Sequence, residues 1–211
     1  MIKAIIFDFD GVIVDSEIKK FKELQSILKN TNFILKENDF KDMTGKKTSS
    51  FLSTKFPKMT KLEIKKVTEL RRKKELFVIN KNLIPGIKKL LEFIKSKKIK
   101  IAITTGSNRE LMKKTIEKNK IKKFFDLIIS GEDFKQSKPS PECYKKTLKK
   151  LNLKTSEVII IEDSIAGIKA SKSAKCKVFG ITTYLNKTEL SEADKVFRNH
   201  EEILEYVKNL F

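Results

Sequence analysis

The sequence predicts an α/β fold, a three-layer α/β/α core on a parallel sheet with a helical bundle inserted after the first strand. Three observations predict it. Short apolar runs at residues 5–7, 101–103 and 158–161 have the length and continuity of strands buried on both faces. From residue 87 onward such runs alternate with stretches whose apolar residues recur at three and four, the order a parallel sheet requires. Between residues 17 and 77, by contrast, only the helical period is found.

Taken in order, Ile5, Ile6 and Phe7 make the first strand, which stops at Asp8 and Asp10 before Gly11. In open α/β sheets the carboxyl ends of the strands face the ligand crevice, so two carboxylates two residues apart project into it side by side. Their repulsion is relieved by a divalent cation, and a plain Asx turn is the other reading of the same residues. Helices follow over 17–30, with Phe21, Leu24, Ile27 and Leu28 on one face, over 37–41, over 46–55, and over 61–77, with Leu62, Ile64, Val67 and Leu70. Pro57 closes the third, and Thr60-Lys61-Leu62-Glu63 is a capping box for the fourth. The exit, Leu83-Ile84-Pro85-Gly86, punctuates the chain before a helix over 87–97. The expected organisation is a core of residues 1–16 and 83–211 and a helical cap of residues 17–82.

Beyond it the pattern is Rossmann-like. A strand over 100–104 leads to a helix ending near 118, opened by a capping box at Ser107-Asn108-Arg109-Glu110. A strand over 126–130, a helix over 141–151, a strand over 158–161, a helix over 165–173 and a strand over 177–182 come next. The last helix spans 201–210 with Asn199 as N-cap, which puts His200 in its first turn as an expected solvated surface residue.

The 211 residues carry a formal charge of +20, an invitation to a nucleic-acid reading that the residue types decline. The arginines are Arg71, Arg72, Arg109 and Arg198, while the lysines are spread over every predicted helix. Base readout leans on Arg, and single-strand binders need exposed aromatic platforms, whereas most Phe residues here fall at apolar-face spacing. The charge should instead steer small anionic substrates. Cys143 and Cys176 lack CxxC spacing, and with His200 alone beside them no zinc site is expected; they read as reduced structural thiols. With no stretch of bilayer length and no signal-peptide pattern, a cytoplasmic protein without a membrane partner is expected, its default state a monomer.

Three further strand ends carry chemistry. Thr104-Thr105-Gly106-Ser107 follows the second strand with hydroxyls and a helix N-terminus, donors suited to a phosphate. Lys138 is held extended by Pro139, just before Ser140-Pro141, which reads as an N-cap with Pro at the first helical position. Glu162 and Asp163 end the 158–161 strand with a second carboxylate pair, which simple helix N-terminal acidity would also explain.

Asp8-Phe9-Asp10-Gly11-Val12, Thr105, Lys138-Pro139 and Glu162-Asp163-Ser164, in that order, resemble the four motifs of the haloacid-dehalogenase superfamily of phosphotransferases. The helical insertion matches the cap position of its small α-helical-cap group, which contains phosphoglycolate phosphatase and β-phosphoglucomutase. The resemblance implies Asp8 as nucleophile, forming an aspartyl-phosphate, and Asp10 as the acid that protonates the leaving group and the base that activates water. It implies Mg²⁺ on the Asp8 carboxylate, the Asp10 carbonyl and Asp163, with Glu162 direct or water-mediated. Thr105, Gly106 and Lys138 would hold the phosphoryl oxygens. Asp10 sets the chain apart from dehalogenases proper, which lack an acid there.

Mutase-like members carry a cap histidine where this chain has Lys20, and an arginine three after a cap glycine where it has Thr48 after Gly45. The expectation is therefore a Mg²⁺-dependent phosphatase acting on a small phosphorylated metabolite of the sugar phosphate or phosphoglycolate type. A β-phosphoglucomutase-like mutase is the alternative, and a non-catalytic basic nucleic-acid-binding protein is a third reading that the intact motifs disfavour. Lys20, Lys46 and Lys47 are the cap candidates, with Lys46 and Lys47 as replacements for the missing arginine or as solvated charges.

Overall fold

The first apolar run forms β1 (Ala4–Phe7), the strand on which the rest of the sheet is assembled. In this computed structural model, residues 1–77 and 82–211 are described, those of 75–77 by backbone alone. The helical insert is α1 (Glu17–Leu28), α2 (Asp39–Met43), α3 (Thr48–Lys55) and α4 (Lys61–Phe77). The chain then runs α5 (Ile87–Ser96), β2 (Lys100–Thr104), α6 (Arg109–Lys118), β3 (Leu127–Ile129), α7 (Glu142–Leu151), β4 (Val158–Glu162), α8 (Ile165–Ser173), β5 (Lys177–Ile181), β6 (Lys195–Phe197) and α9 (His200–Lys208). The strands pair in parallel in the order β3-β2-β1-β4-β5-β6.

The strand period of two divides the core. Ile5 and Phe7 of β1 join a cluster with Ile87, Leu90, Leu91 and Ile94 of α5, Met112 and Ile116 of α6, and Ile203 and Val207 of α9. Ala4 and Ile6 point the other way, to Tyr144 and Leu148 of α7 and Ile168 and Ala170 of α8. Each fully buried Ile, Leu or Phe contributes about 1.5–3 kcal/mol, so the α5 stripe alone makes that helix dependent on the sheet. A third cluster belongs to the insert, where Phe21 and Leu24 of α1 meet Phe51 and Leu52 of α3 and Val67 of α4.

Register positions the site. Phe7 is opposite Ile103 of β2 and Ile161 of β4, so Asp8, Thr104 and Glu162 emerge at one level. The β1–β4 boundary is where the strand order reverses, the place where open α/β sheets form a crevice.

Several expectations are corrected. The second and third insert helices begin at Asp39 and Thr48, later than expected; the third starts late because Gly45 is left-handed at φ +77 and Lys47 is extended. Strand β3 is shorter than expected, and α7 starts at Glu142 with Pro141 as its N-cap residue. Strand β6 was not expected, since three residues of Lys-Val-Phe carry no readable alternation. Asn108, not Ser107, caps α6, its Oδ1 accepting from the N–H groups of Glu110 and Leu111. The Thr60–Glu63 box forms as expected, Glu63 N–H donating to Thr60 Oγ1 and Thr60 N–H to Glu63 Oε2.

His200 is not a surface residue. Its relative exposure is 0%, and Nδ1 lies 3.1 Å from the Pro85 carbonyl. The Asn199 cap fixes where α9 starts, but only the docking of α9 on α5 decides which side of its first turn is covered. Cys143 and Cys176 are buried free thiols, and burial pushes them up to about 12 and about 11.

Candidate active site

Asp8 continues β1 by one residue, its N–H donating to the Ile161 carbonyl at 3.0 Å, which turns its side chain into the crevice. Lys138 Nζ donates to Asp8 Oδ1 at 2.6 Å and to Glu162 Oε1 at 2.5 Å, and all three side chains are buried. Glu162 Oε1 also accepts from the Tyr144 hydroxyl, and Oε2 accepts from Ser164 Oγ at 3.1 Å. Both Glu162 oxygens are thus engaged by protein donors. Its role in this arrangement is to anchor the lysine that faces Asp8.

Asp163 is the opposite case. Its relative exposure is 0%, and neither carboxylate oxygen has a hydrogen-bond partner among the described residues. Burial, then the charges of Asp8 and Glu162, push its carboxyl well above the ordinary range. Asp8 is pushed up to about 7, by burial first, with Lys138 opposing and Glu162 adding to the rise. Burial works against the Lys138 ammonium, but the Asp8 and Glu162 carboxylates outweigh it and hold Lys138 well above its usual value.

Oxygens of Asp8, Glu162 and Asp163 lie within 4.8 Å of one another. An orphaned buried carboxylate beside two others is a set of hard oxygen donors that fits a small divalent cation. Gly11 makes the close approach feasible: at φ +82 it turns the loop, and a Cβ there would stand 1.8 Å from Asp163 Oδ2.

Asp10, though only two residues from Asp8, has a different environment. Its Oδ1 accepts from Ser16 Oγ and its Oδ2 from Ser107 Oγ, while Lys20 Nζ sits 2.5 Å from Oδ2. Lys20 comes from α1 of the insert and also pairs with Glu17 at 2.9 Å. Thr105 is buried with its Oγ1 accepting from Ser107 N–H at 3.0 Å, and Thr105 and Gly106 both line the cavity.

Sheet edge and insert enclose a cavity of about 320 Å³ lined by Asp8, Asp10, Lys20, Lys46, Thr105 and Gly106, among others. Lys47 departs from both expected roles. Its ammonium is turned away from the Asp8–Asp10 pair to the carbonyls of Gly131 and Phe134, 4.0 Å over the Phe134 ring, and its N–H donates to Ser137 Oγ at 2.9 Å. Burial lowers its pKa. It ties the insert to the core loops.

The expected residues Asp8, Asp10, Lys20, Thr105, Gly106, Lys138, Glu162 and Asp163 are brought together, and Lys46 borders the same space. Glu17 and Tyr144 were not foreseen, and Ser16 and Ser107 were not expected to meet Asp10. Ser107 was legible as a helix cap and as a hydroxyl donor suited to a phosphate, and Tyr144 reads as a core aromatic. Thr68, Arg71 and Arg72 of α4 also line the cavity, and the one available signal was two adjacent arginines in a lysine-dominated chain.

Fold and site define a class: α/β proteins whose buried carboxylates leave the central strand of a parallel sheet beneath a helical insert. The profile described as haloacid dehalogenase-like hydrolase matches residues 5–181, most of the chain. A phosphorylated carbohydrates phosphatase of Thermotoga maritima is 31% identical over 99% of both chains. A phosphoglycolate phosphatase of Aquifex aeolicus is 31% identical over 83% of this chain and 82% of its own. In structure, a β-phosphoglucomutase of Clostridium difficile superposes with a TM-score of 0.86 and 25% identity over 99% of this chain and 96% of its own. The protein belongs to the haloacid dehalogenase-like hydrolases and is an enzyme of that family.

Proposed function

We propose that the chain is a Mg²⁺-dependent phosphatase that hydrolyses a small phosphorylated metabolite, of the sugar phosphate or phosphoglycolate type, through an aspartyl-phosphate. The observation that carries this reading is the unequal treatment of Asp8 and Asp10. Asp8 faces a buried lysine and an unpartnered carboxylate, whereas Asp10 is surrounded by hydroxyls and the Lys20 ammonium. Such a split suits one carboxylate to attack and the other to proton transfer. The phosphatase names of the two relatives support the same choice.

In this mechanism Asp8 attacks phosphorus in line with the leaving oxygen. Asp10 protonates that oxygen as it departs, then takes a proton from the water that hydrolyses the acyl phosphate. Thr105 and the backbone at Gly106 bind the phosphoryl oxygens, and Lys138, held by Glu162 and Tyr144, balances their growing charge. Asp8, the Asp10 carbonyl and Asp163 would hold the Mg²⁺, with Glu162 acting through water because its oxygens are already engaged. Bound there, Mg²⁺ supplies charge neutralisation between carboxylate and phosphate. The insert, residues 17–82, acts as the cap that excludes solvent, with residues 78–81 outside the described set. A β-phosphoglucomutase-like mutase remains the alternative within this fold, and Lys20 and Thr48 at the two positions that mutases reserve for histidine and arginine favour hydrolysis.

Phosphate release over a panel of phosphorylated metabolites, with Mg²⁺ and with chelator, tests the reading. Wild type releases phosphate only with the metal, Asp8→Asn falls to background, and Asp10→Asn loses about 10²-fold or more in kcat. Equal release by wild type and Asp8→Asn would falsify it.

A further inference from the structure

On its insert side the cavity is walled by Lys46, Thr48, Thr68, Arg71 and Arg72, facing a core side that brings Asp8, Asp10 and Thr105. Thr68, Arg71 and Arg72 stand three and four apart on α4, so they share a face, next to Ile64 and Val67 that pack into the insert's own cluster. Thr68 Oγ1 is cut off from solvent and has no hydrogen-bond partner among the described residues. Leaving a buried hydroxyl so is costly, and a ligand oxygen relieves the cost.

The other cavity cations are committed. Lys20 is on Asp10 and Glu17, and Lys47 is on two backbone carbonyls. Lys138, behind Asp8, is on Asp8 and Glu162. Arg72 comes no nearer than 3.9 Å to Glu110, beyond hydrogen-bond distance. A guanidinium carries five donors in a planar fork, so Arg71 and Arg72 can each serve a neighbour and a ligand at once, and the fork matches a carboxylate or phosphate edge. Half of the chain's four arginines stand side by side at this wall, against scattered lysines elsewhere.

We infer that Thr68, Arg71, Arg72 and Lys46 form a subsite for a second anionic group, so that the substrates are small phosphomonoesters bearing a carboxylate or a further phosphate away from the scissile one. This rests on the phosphatase reading and narrows it. The cavity of about 320 Å³ holds a metabolite rather than a polymer. A phosphate ester with no second anionic group leaves the basic wall with water alone. Charge-assisted hydrogen bonds of this kind favour the doubly anionic ester by about ten- to a hundredfold.

Matched pairs of esters test this with Mg²⁺ present: 3-phosphoglycerate against glycerol 3-phosphate for a carboxylate, and fructose 1,6-bisphosphate against fructose 6-phosphate for a phosphate. At least one pair shows kcat/KM higher for the anionic member by about tenfold or more in wild type. Arg71→Gln collapses that ratio toward one, Arg71→Lys keeps part of it, and Thr68→Val lowers it. Because the readout is a ratio within each variant, a general loss of folded enzyme cancels. Ratios near one in wild type for both pairs, or a ratio that Arg71→Gln leaves in place, overturn the subsite while the phosphatase reading stands. No Mg²⁺-dependent release from any ester, p-nitrophenyl phosphate included, removes the phosphatase reading and the subsite with it.

Discussion

Lowering the pH should destabilise this protein through its one histidine. His200 is buried at the start of α9, and burial lowers its pKa from 6.5 to about 4, the Pro85 carbonyl opposing only in part. A group whose folded pKa is depressed below its unfolded value binds more protons when unfolded, so each pH unit between the two values costs the native state about 1.4 kcal/mol. Between pH 7 and pH 5 the loss from His200 alone is about 2 kcal/mol, and it approaches about 3 kcal/mol near pH 4. Asp8, pushed up to about 7, and Asp163, held well above the ordinary range, act in the opposite sense, stabilising as pH falls, so the raw curve mixes opposing contributions. The difference between wild type and His200→Gln isolates the imidazole. Urea unfolding of both proteins in chelator at several pH values should give a difference that shrinks by about 2 kcal/mol from pH 7 to pH 5. The only imidazole in the chain also gives one NMR resonance pair, expected not to titrate until well below pH 6. A titration midpoint near 6.5, or parallel stability curves for the two proteins, refutes the reasoning.

Two further outcomes follow from the carboxylate cluster. Lys138→Met leaves Asp8 and Glu162 buried without their cation and should lower stability by about 3–5 kcal/mol at neutral pH, read from denaturant midpoints, with a smaller loss in more acidic buffer where the pair takes up a proton. Asp163→Asn removes an unpartnered buried carboxylate; it should raise the melting temperature in chelator while abolishing the rise that Mg²⁺ gives the wild type, as followed by scanning calorimetry.

Much of this protein was legible before folding because its signals are local. The apolar run before Asp8, the period of α5 and the reciprocal box at Thr60 and Glu63 each depend on residues a few positions apart, and the structure keeps them. The ordered strand ends carrying Asp8, Thr105, Lys138 and Glu162-Asp163 were readable for the same reason, since a strand that stops at polar residues announces a crevice. Tertiary structure decided what those residues touch. Sheet register brings Asp8 level with Glu162, across a sequence gap that no period spans. Docking of the insert carries Lys20 onto Asp10, takes Lys47 away to Gly131 and Phe134, and turns Arg71 and Arg72 to the cavity. Ser107 shows the boundary between the two kinds of information. Its sequence context reads as a helix cap and a phosphate donor, but Asn108 one residue on caps that helix, and the buried carboxylate of Asp10 draws the Ser107 hydroxyl. Desolvation is the physical reason: a polar group's partner is chosen by what else is buried beside it, and that is known only once distant segments have met.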